Sequence, residues 1–238
     1  QQKEGEMWLM SCHSDYEKLH SAIGELPFSN LWIARQTVHR LPEGCYFHLS
    51  ILNSLRAWGM FELPESVQSR SFVNTGGFGI DGCMSSMIGG AIAYQNKLHY
   101  LVIGDLAFFY DLNVVGNRHI SNNIRILLVN NGKGTEFRNY NHLAARFGDE
   151  ADRFMAAAGH YGNKSHVLIR HYAEDLGYEY LQASTKEEYL DNIDRFLIPS
   201  ITDKPILFEV FTNSEDESNA LRLMNTLIDN LNSSLKQA

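Results

Sequence analysis

The sequence predicts an α/β fold: a single doubly wound domain, a mostly parallel sheet with helices on both faces. Three observations point there. Short, branched apolar runs recur at residues 45–52, 71–74, 99–103, 124–129, 178–182 and 205–211, the length of buried strands rather than of helices. Stretches with helical spacing separate them, and regular alternation of strand and helix is the pattern of a sheet covered on both sides. Two of the strongest runs end in abrupt polar turns, Gly104-Asp105 and Asn130-Asn131-Gly132, as strands do at the ligand-binding edge of such a sheet. Right-handed crossovers are expected.

Taken in order, residues 1–6 read as a disordered lead, and 8–26 as a helix with apolar positions at Trp8, Met10, Tyr16, Leu19 and Ile23. A second helix spans 31–40, stopped by Leu41-Pro42-Glu43-Gly44. Residues 1–40 are therefore assigned to a helical lead or linker, and 41–238 to the main domain. The first strand, 45–52, ends at Asn53-Ser54, polar residues suited to capping the helix 55–61. A short strand, 71–74, opens into Thr75-Gly76-Gly77-Phe78-Gly79-Ile80-Asp81-Gly82, whose glycines permit close backbone approach to a ligand. The small-residue helix 83–93 follows, and a glycine-rich turn entering a helix favours phosphate; the plainer reading is a tight turn that binds nothing.

The central strand, 99–103, leads through Asp105 to a helix over 110–120, and strand 124–129 comes next. Residues 138–162, polar with aromatic patches, read as a helix between mobile loops and as a possible lid. The helix 165–176, the strand 178–182 and a helix opened by a Ser184-x-x-Glu187 capping box lead to the last strand, 205–211. A terminal helix, 214–235, has an acidic first turn suited to its dipole.

Composition narrows the function. The 238 residues are 44% hydrophobic and 20% charged, with a formal net charge of −8, which disfavours nucleic acid as a partner. No apolar run approaches the ~20 residues of a membrane span. The three cysteines, Cys12, Cys45 and Cys83, suggest neither a disulfide framework nor a zinc site and fit a reducing, cytoplasmic setting. The polar start, without an initiator Met, suggests a piece of a longer protein.

Asp105 and Asn131 lie at the ends of runs that neighbour each other in a parallel sheet. A carboxylate, an amide oxygen and a backbone carbonyl from the following turn form a hard oxygen set suited to Mg²⁺ held against phosphate. Singly, Asp105 is equally a helix cap and Asn131 a turn former. His119, His142, His160, His166 and His171 read as surface or internally satisfied residues.

Gly104-Asp105-Leu106 with Tyr110-Asp111-Leu112-Asn113, Gly79-Ile80-Asp81-Gly82, Asn53-Ser54-Leu55 and Asn130-Asn131 together resemble the C-terminal cofactor domain of thiamine-diphosphate enzymes of the menaquinone-pathway SEPHCHC synthase (MenD) type. The resemblance implies that Asp105, Asn131 and the carbonyl of Lys133 bind Mg²⁺. It implies that Gly104 and Leu106 offer amides to the diphosphate, that Gly79, Ile80 and Asp81 hold the cofactor with Ile80 as an apolar wedge, and that Ser54 lies near substrate. Asp111 and Asn113 would support the turn.

The implied activity is decarboxylation of a 2-oxo acid or carboligation, a transferase or lyase reaction within a longer, oligomeric protein. The activating glutamate would come from a pyrimidine-binding domain of the same or a partner chain, so no catalytic residue is assigned here and this chain alone is expected to be inactive. Two family arginines that recognise carboxylates fall on Thr75 and Trp58, while Arg56 is offset by half a helical turn, so altered substrate recognition is expected. The alternatives are a non-catalytic assembly module that keeps the fold and a Rossmann-like nucleotide binder; the glycine spacing at 77–82 fits the latter poorly.

Overall fold

A computed structural model describes residues 2–74, 79–155 and 165–235. Six strands form one sheet: β1 (Tyr46–Leu49), β2 (Ser71–Val73), β3 (His99–Gly104), β4 (Ile124–Asn130), β5 (Glu179–Ala183) and β6 (Ile206–Phe211). Their order is β2-β1-β3-β4-β6-β5 and every pairing is parallel. The chain winds outward from β1 to one edge, returns to β3 and winds to the other. The reversal lies between β1 and β3, where the carboxyl ends leave a crevice.

Alternation along the central strands builds the two faces. Tyr100 and Val102 of β3, with Leu127 and Val129 of β4, join one core cluster. That side carries α2 (Asn30–Thr37), α3 (Asn53–Trp58), α9 (Lys186–Phe196) and α10 (Ser214–Leu235). Leu101, Ile103, Ile126 and Leu128 point the other way, against α5 (Cys83–Ala93), α6 (Asp105–Tyr110) and α8 (Leu168–Asp175). Strands covered on both faces are apolar throughout, which is why these runs were legible in the sequence. The remaining helices are α1 (Gln2–Ala22), α4 (Glu65–Gln68) and α7 (Asp152–Met155). Among the described residues no helix is long and apolar enough to cross a membrane.

Several elements depart from expectation. Residues 2–6, read as disordered, belong to α1; apart from Gly5 they are good helix formers. The helix expected over 110–120 instead starts at Asp105 and ends at Tyr110, followed by a 3-10 turn, Leu112–Gly116, because the β-branched Val114-Val115 pair and Gly116 sustain an α-helix poorly. No long helix spans 138–155. There are 3-10 turns at Thr135–Arg138 and Leu143–Ala151, the latter kinked at Gly148 (φ 54°), then the four-residue α7. The capping box sits one residue later than read: Thr185 Oγ1 accepts from the Glu188 N–H at 3.2 Å, and Glu188 accepts from the Ser184 N–H at 2.6 Å. Neither Asn53 nor Ser54 caps α3, whose N-cap position is Leu52. Thr75 to Phe78, Gly159, His160 and Gly162, with the rest of the proposed lid between 156 and 164, lie outside the described residues.

Candidate active-site cavity

The register places the candidate residues. Gly104 pairs with Val129, and Asn130 pairs with Phe211, so Asp105 and the Asn130-Asn131-Gly132 turn leave the sheet side by side. The Asp105 carboxyl is buried (1% exposed) and faces the backbone N–H groups of Leu106 and Gly132. Gly132, at φ 84°, takes a left-handed conformation that side chains rarely adopt, and this turn brings its N–H to Asp105. Burial pushes the Asp105 pKa up to about 7, those N–H groups oppose the rise, and the charge of Glu209 adds to it. Asn131 is also buried, and its Oδ1 accepts no hydrogen bond from any described group.

A buried carboxyl that is costly to ionise, beside an amide oxygen lacking a donor, is a pair that a divalent cation would satisfy. These residues therefore fit Mg²⁺.

Both line a cavity of about 520 Å³ at the carboxyl end of the sheet. Of the other expected site residues, Ser54, Gly79, Ile80, Gly104, Leu106 and Lys133 also line it. Gly134 allows the far wall to close in, for a Cβ there would stand 3.2 Å from Phe137 and 3.3 Å from Leu106. Asp81 is exposed and outside the lining, its carboxylate against Gly79 and its carbonyl accepting from Asn74 Nδ2 at 3.1 Å. Asn113 is exposed in the turn after α6 and is likewise outside the lining. Asp111 does support structure: its carboxylate accepts from the Met84 and Ser85 N–H groups at 3.0 and 3.1 Å, fixing the start of α5.

Of the two positions where family arginines are expected, Thr75 lies outside the described residues. Trp58 is buried (2% exposed) against Phe47, with ring centroids 5.4 Å apart, and belongs to the core rather than to the cavity. Position 58 faces inward, so the half-turn offset turns Arg56 toward the cavity, where its guanidinium pairs with Glu136.

Sequence reasoning missed Glu136, His142, Asn30, Leu52 and Glu209. His142, assigned to the surface or interior, lines the cavity; its ring packs edge-on against Phe137 and its Nδ1 accepts from the Ala144 N–H at 3.1 Å. Leu52 lines the floor at φ 69°, the sole non-glycine positive φ among the described residues. Glu209, fully buried on β6, accepts from Asn130 Nδ2 and from the Tyr180 hydroxyl, each at 2.6 Å. Burial raises its pKa to about 7, while both donors pull it down. It braces the turn carrying Asn131, since Asn130 Oδ1 accepts from the Gly132 N–H at 3.2 Å. A lone acid within the apolar run Ile-Leu-Phe-Glu-Val-Phe was the available signal, because buried charge persists only when paired or hydrogen-bonded.

Comparison with known proteins agrees with this architecture. No protein-family model matches the chain. It is 33% identical over 198 residues to the 2-succinyl-5-enolpyruvyl-6-hydroxy-3-cyclohexene-1-carboxylate synthase of Bacteroides fragilis, covering 83% of this chain and 34% of that protein. The synthases of the same name from Phocaeicola vulgatus (33% over 198 residues, 83% and 34%) and Flavobacterium psychrophilum (32% over 199 residues, 82% and 33%) match similarly. The chain thus spans about a third of the length of these relatives. Among solved structures, a thiamine diphosphate-dependent 4-hydroxybenzoylformate decarboxylase of Rhodococcus jostii RHA1 superposes with a TM-score of 0.56 at 16% identity, over 81% of this chain and 34% of that one, a likeness of fold. The chain is similar over 83% of its length to part of the 2-succinyl-5-enolpyruvyl-6-hydroxy-3-cyclohexene-1-carboxylate synthases, and it shares its fold with part of a thiamine diphosphate-dependent decarboxylase.

Proposed function

We propose that this chain is the diphosphate- and Mg²⁺-binding domain of a thiamine-diphosphate-dependent 2-oxo acid decarboxylase or carboligase whose substrate-recognition positions differ from those of its relatives. The observation that carries this reading is the meeting of the Asp105 carboxyl with the Asn131 turn, where Asn131 Oδ1 is buried without a donor.

Asp105, Asn131 Oδ1 and the carbonyl of Lys133 would hold the metal. Gly104 and Leu106 would present amides to the diphosphate, Gly79 and Ile80 would wall the cofactor, and Ser54 would stand beside the substrate. When bound, thiamine diphosphate supplies an electron sink for the carbanion left as carbon dioxide departs. Asp105 fixes the metal only as the carboxylate; Glu209 and Asn130 hold the turn that faces it. A pyrimidine-binding domain, of the same or a partner chain in a homo-oligomer, would supply the activating glutamate, so this chain alone binds without turning over.

Calorimetric titration with Mg²⁺ and thiamine diphosphate tests the reading. Saturable binding that requires the metal is expected, and Asp105→Asn should weaken it at least ~100-fold, as loss of a charged ligand does. Binding indifferent to both Mg²⁺ and the substitution, or a thermal shift with NAD or ATP instead, would overturn it.

A further inference from the structure

A second cavity of about 380 Å³ adjoins the first across a shared wall of Asn30, Asn53, Arg56 and Glu136. Beyond that wall its polar lining is the amides of Asn139, Asn141 and Asn225 and the carboxyl of Glu217, which already accepts from the Asn30 N–H and from Thr212 Oγ1, while Met60 and Leu221 supply aliphatic faces. Asn139 Nδ2 reaches Asn53 Oδ1 at 3.4 Å, and Asn225 Nδ2 donates to the Tyr140 hydroxyl at 2.9 Å.

Two acceptors on the shared wall are left over. Asn30 is 2% exposed, and its Oδ1 receives no hydrogen bond from any described group; the same holds for the buried Oε2 of Glu136. The other carboxylate oxygen of Glu136 already engages the Arg56 guanidinium. The wall therefore presents spare acceptors while its cation is committed. Buried acceptors of this kind are satisfied by a ligand that donates hydrogen bonds, and a second carboxylate would meet Glu136 with no available counter-ion. Carboxamides both donate and accept, as hydroxyl groups do, and aliphatic side chains suit the C–H faces between hydroxyls.

We infer that this annex is a subsite for a neutral polyhydroxylated, sugar-like molecule, and that Glu136 and Asn30 read its hydroxyl groups. That the ligand is the acceptor or substrate of the reaction rests on the function proposed above; the chemistry of the annex does not.

The test titrates the ¹⁵N-labelled chain with ribose and glucose as neutral probes, succinate as a dicarboxylate and ethylammonium as an amine, following side-chain amide signals by NMR. The Asn53, Asn139 and Asn225 signals should shift saturably with a sugar and little with the other two. Glu136→Gln removes a charged acceptor and releases Arg56, so sugar affinity should fall about tenfold and succinate affinity rise by a similar factor. Asn225→Leu, on the accessible side of α10, should weaken the sugar and leave succinate unchanged, which guards against a misfolded first variant. Succinate or ethylammonium binding better than either sugar, sugars that move none of the three asparagines, or an unchanged preference in folded Glu136→Gln would overturn the proposal. Sugar binding with no cofactor binding would sink the proposed function alone; cofactor binding with silent asparagines would sink this inference alone.

Discussion

The two walls of the main cavity are built on different principles. One is made by the ends of β3 and β4. There the backbone register sets the positions of Asp105 and Asn131, and glycines at 132 and 134 allow the close approaches. The other, from Leu52 to Arg56 and from Glu136 to His142, is made by side chains meeting across loops, with the exposed Arg56 paired to the largely buried Glu136 at its centre. An ion pair open to water on its arginine side contributes modestly to folding, whereas a change in the ladder would disturb the whole sheet. The first wall is thus expensive to alter and the second cheap. A fold of this design can hold one chemistry while its choice of substrate drifts.

The largest effect should come from introducing a cation at position 58. Trp58 is locked against Phe47 on the core side of α3. Trp58→Arg would bury an uncompensated charge and remove an aromatic side chain, at a cost of ~3–5 kcal/mol, measured as a lowered urea midpoint. A variant that kept its stability and gained affinity for a dicarboxylate would erase the contrast between the walls.

The same contrast explains what the sequence disclosed. The strands, their parallel arrangement and Asp105 with Asn131 were legible because local pattern and chain geometry determine them: apolar runs of strand length, each closed by a polar turn. Glu136, His142 and Asn30 were not, because their roles arise from tertiary contacts between segments up to 187 residues apart, such as Glu217 reaching the Asn30 N–H. Arg56 was legible only as offset by half a turn from position 58, because helical spacing gives relative directions only; knowing that position 58 faces the core was needed to point position 56 at the cavity. The capping box slipped by one residue because Ser184 and Thr185 are both competent caps and both followed three residues later by glutamate.

A smaller effect concerns the support beneath the second wall. Glu217, buried on α10, accepts from the Asn30 N–H at 3.1 Å and from Thr212 Oγ1 at 2.8 Å. Burial raises its pKa from 4.5 to about 7, with these donors pulling down and Asp216 pushing up. An unfolded chain loses this proton near pH 4.5, while the folded chain keeps it until about pH 7. The folded state binds more protons in between, so stability is full below pH 4.5, falls as pH rises toward 7 and levels off above. The whole span is worth roughly 3 kcal/mol at most. Urea unfolding at pH 5 and pH 7.5 should show Glu217→Gln losing ~1–3 kcal/mol less than the parent between the two. Equal pH dependence in the two proteins would mean that Glu217 is as well solvated as an ordinary glutamate, and that the second wall has no rigid footing.

The smallest effect is at Leu52, where the walls meet. Its φ of 69° and ψ of −124° match the first corner of a type II′ turn, a position that favours glycine. The conformation is held on both sides: the Leu55 N–H bonds to the Ser50 carbonyl at 3.1 Å, and the Arg56 N–H to the Leu52 carbonyl at 2.9 Å. A non-glycine residue there carries ~1–3 kcal/mol of strain. Leu52→Gly would relieve it but would add chain entropy to the unfolded state, ~0.5–1 kcal/mol, and would remove a half-buried side chain. The expected net effect is stabilisation by about 1 kcal/mol, read as a raised urea midpoint. Binding separates the two walls. Metal and cofactor affinity should change little, because Asp105 and Asn131 are anchored by the ladder, while affinity for any ligand held by Arg56 and Glu136 should fall as α3 loses its fixed entry. A Leu52→Gly variant that instead lost metal-dependent binding would show that the strained corner positions the strand ends too, and that the walls act as one unit.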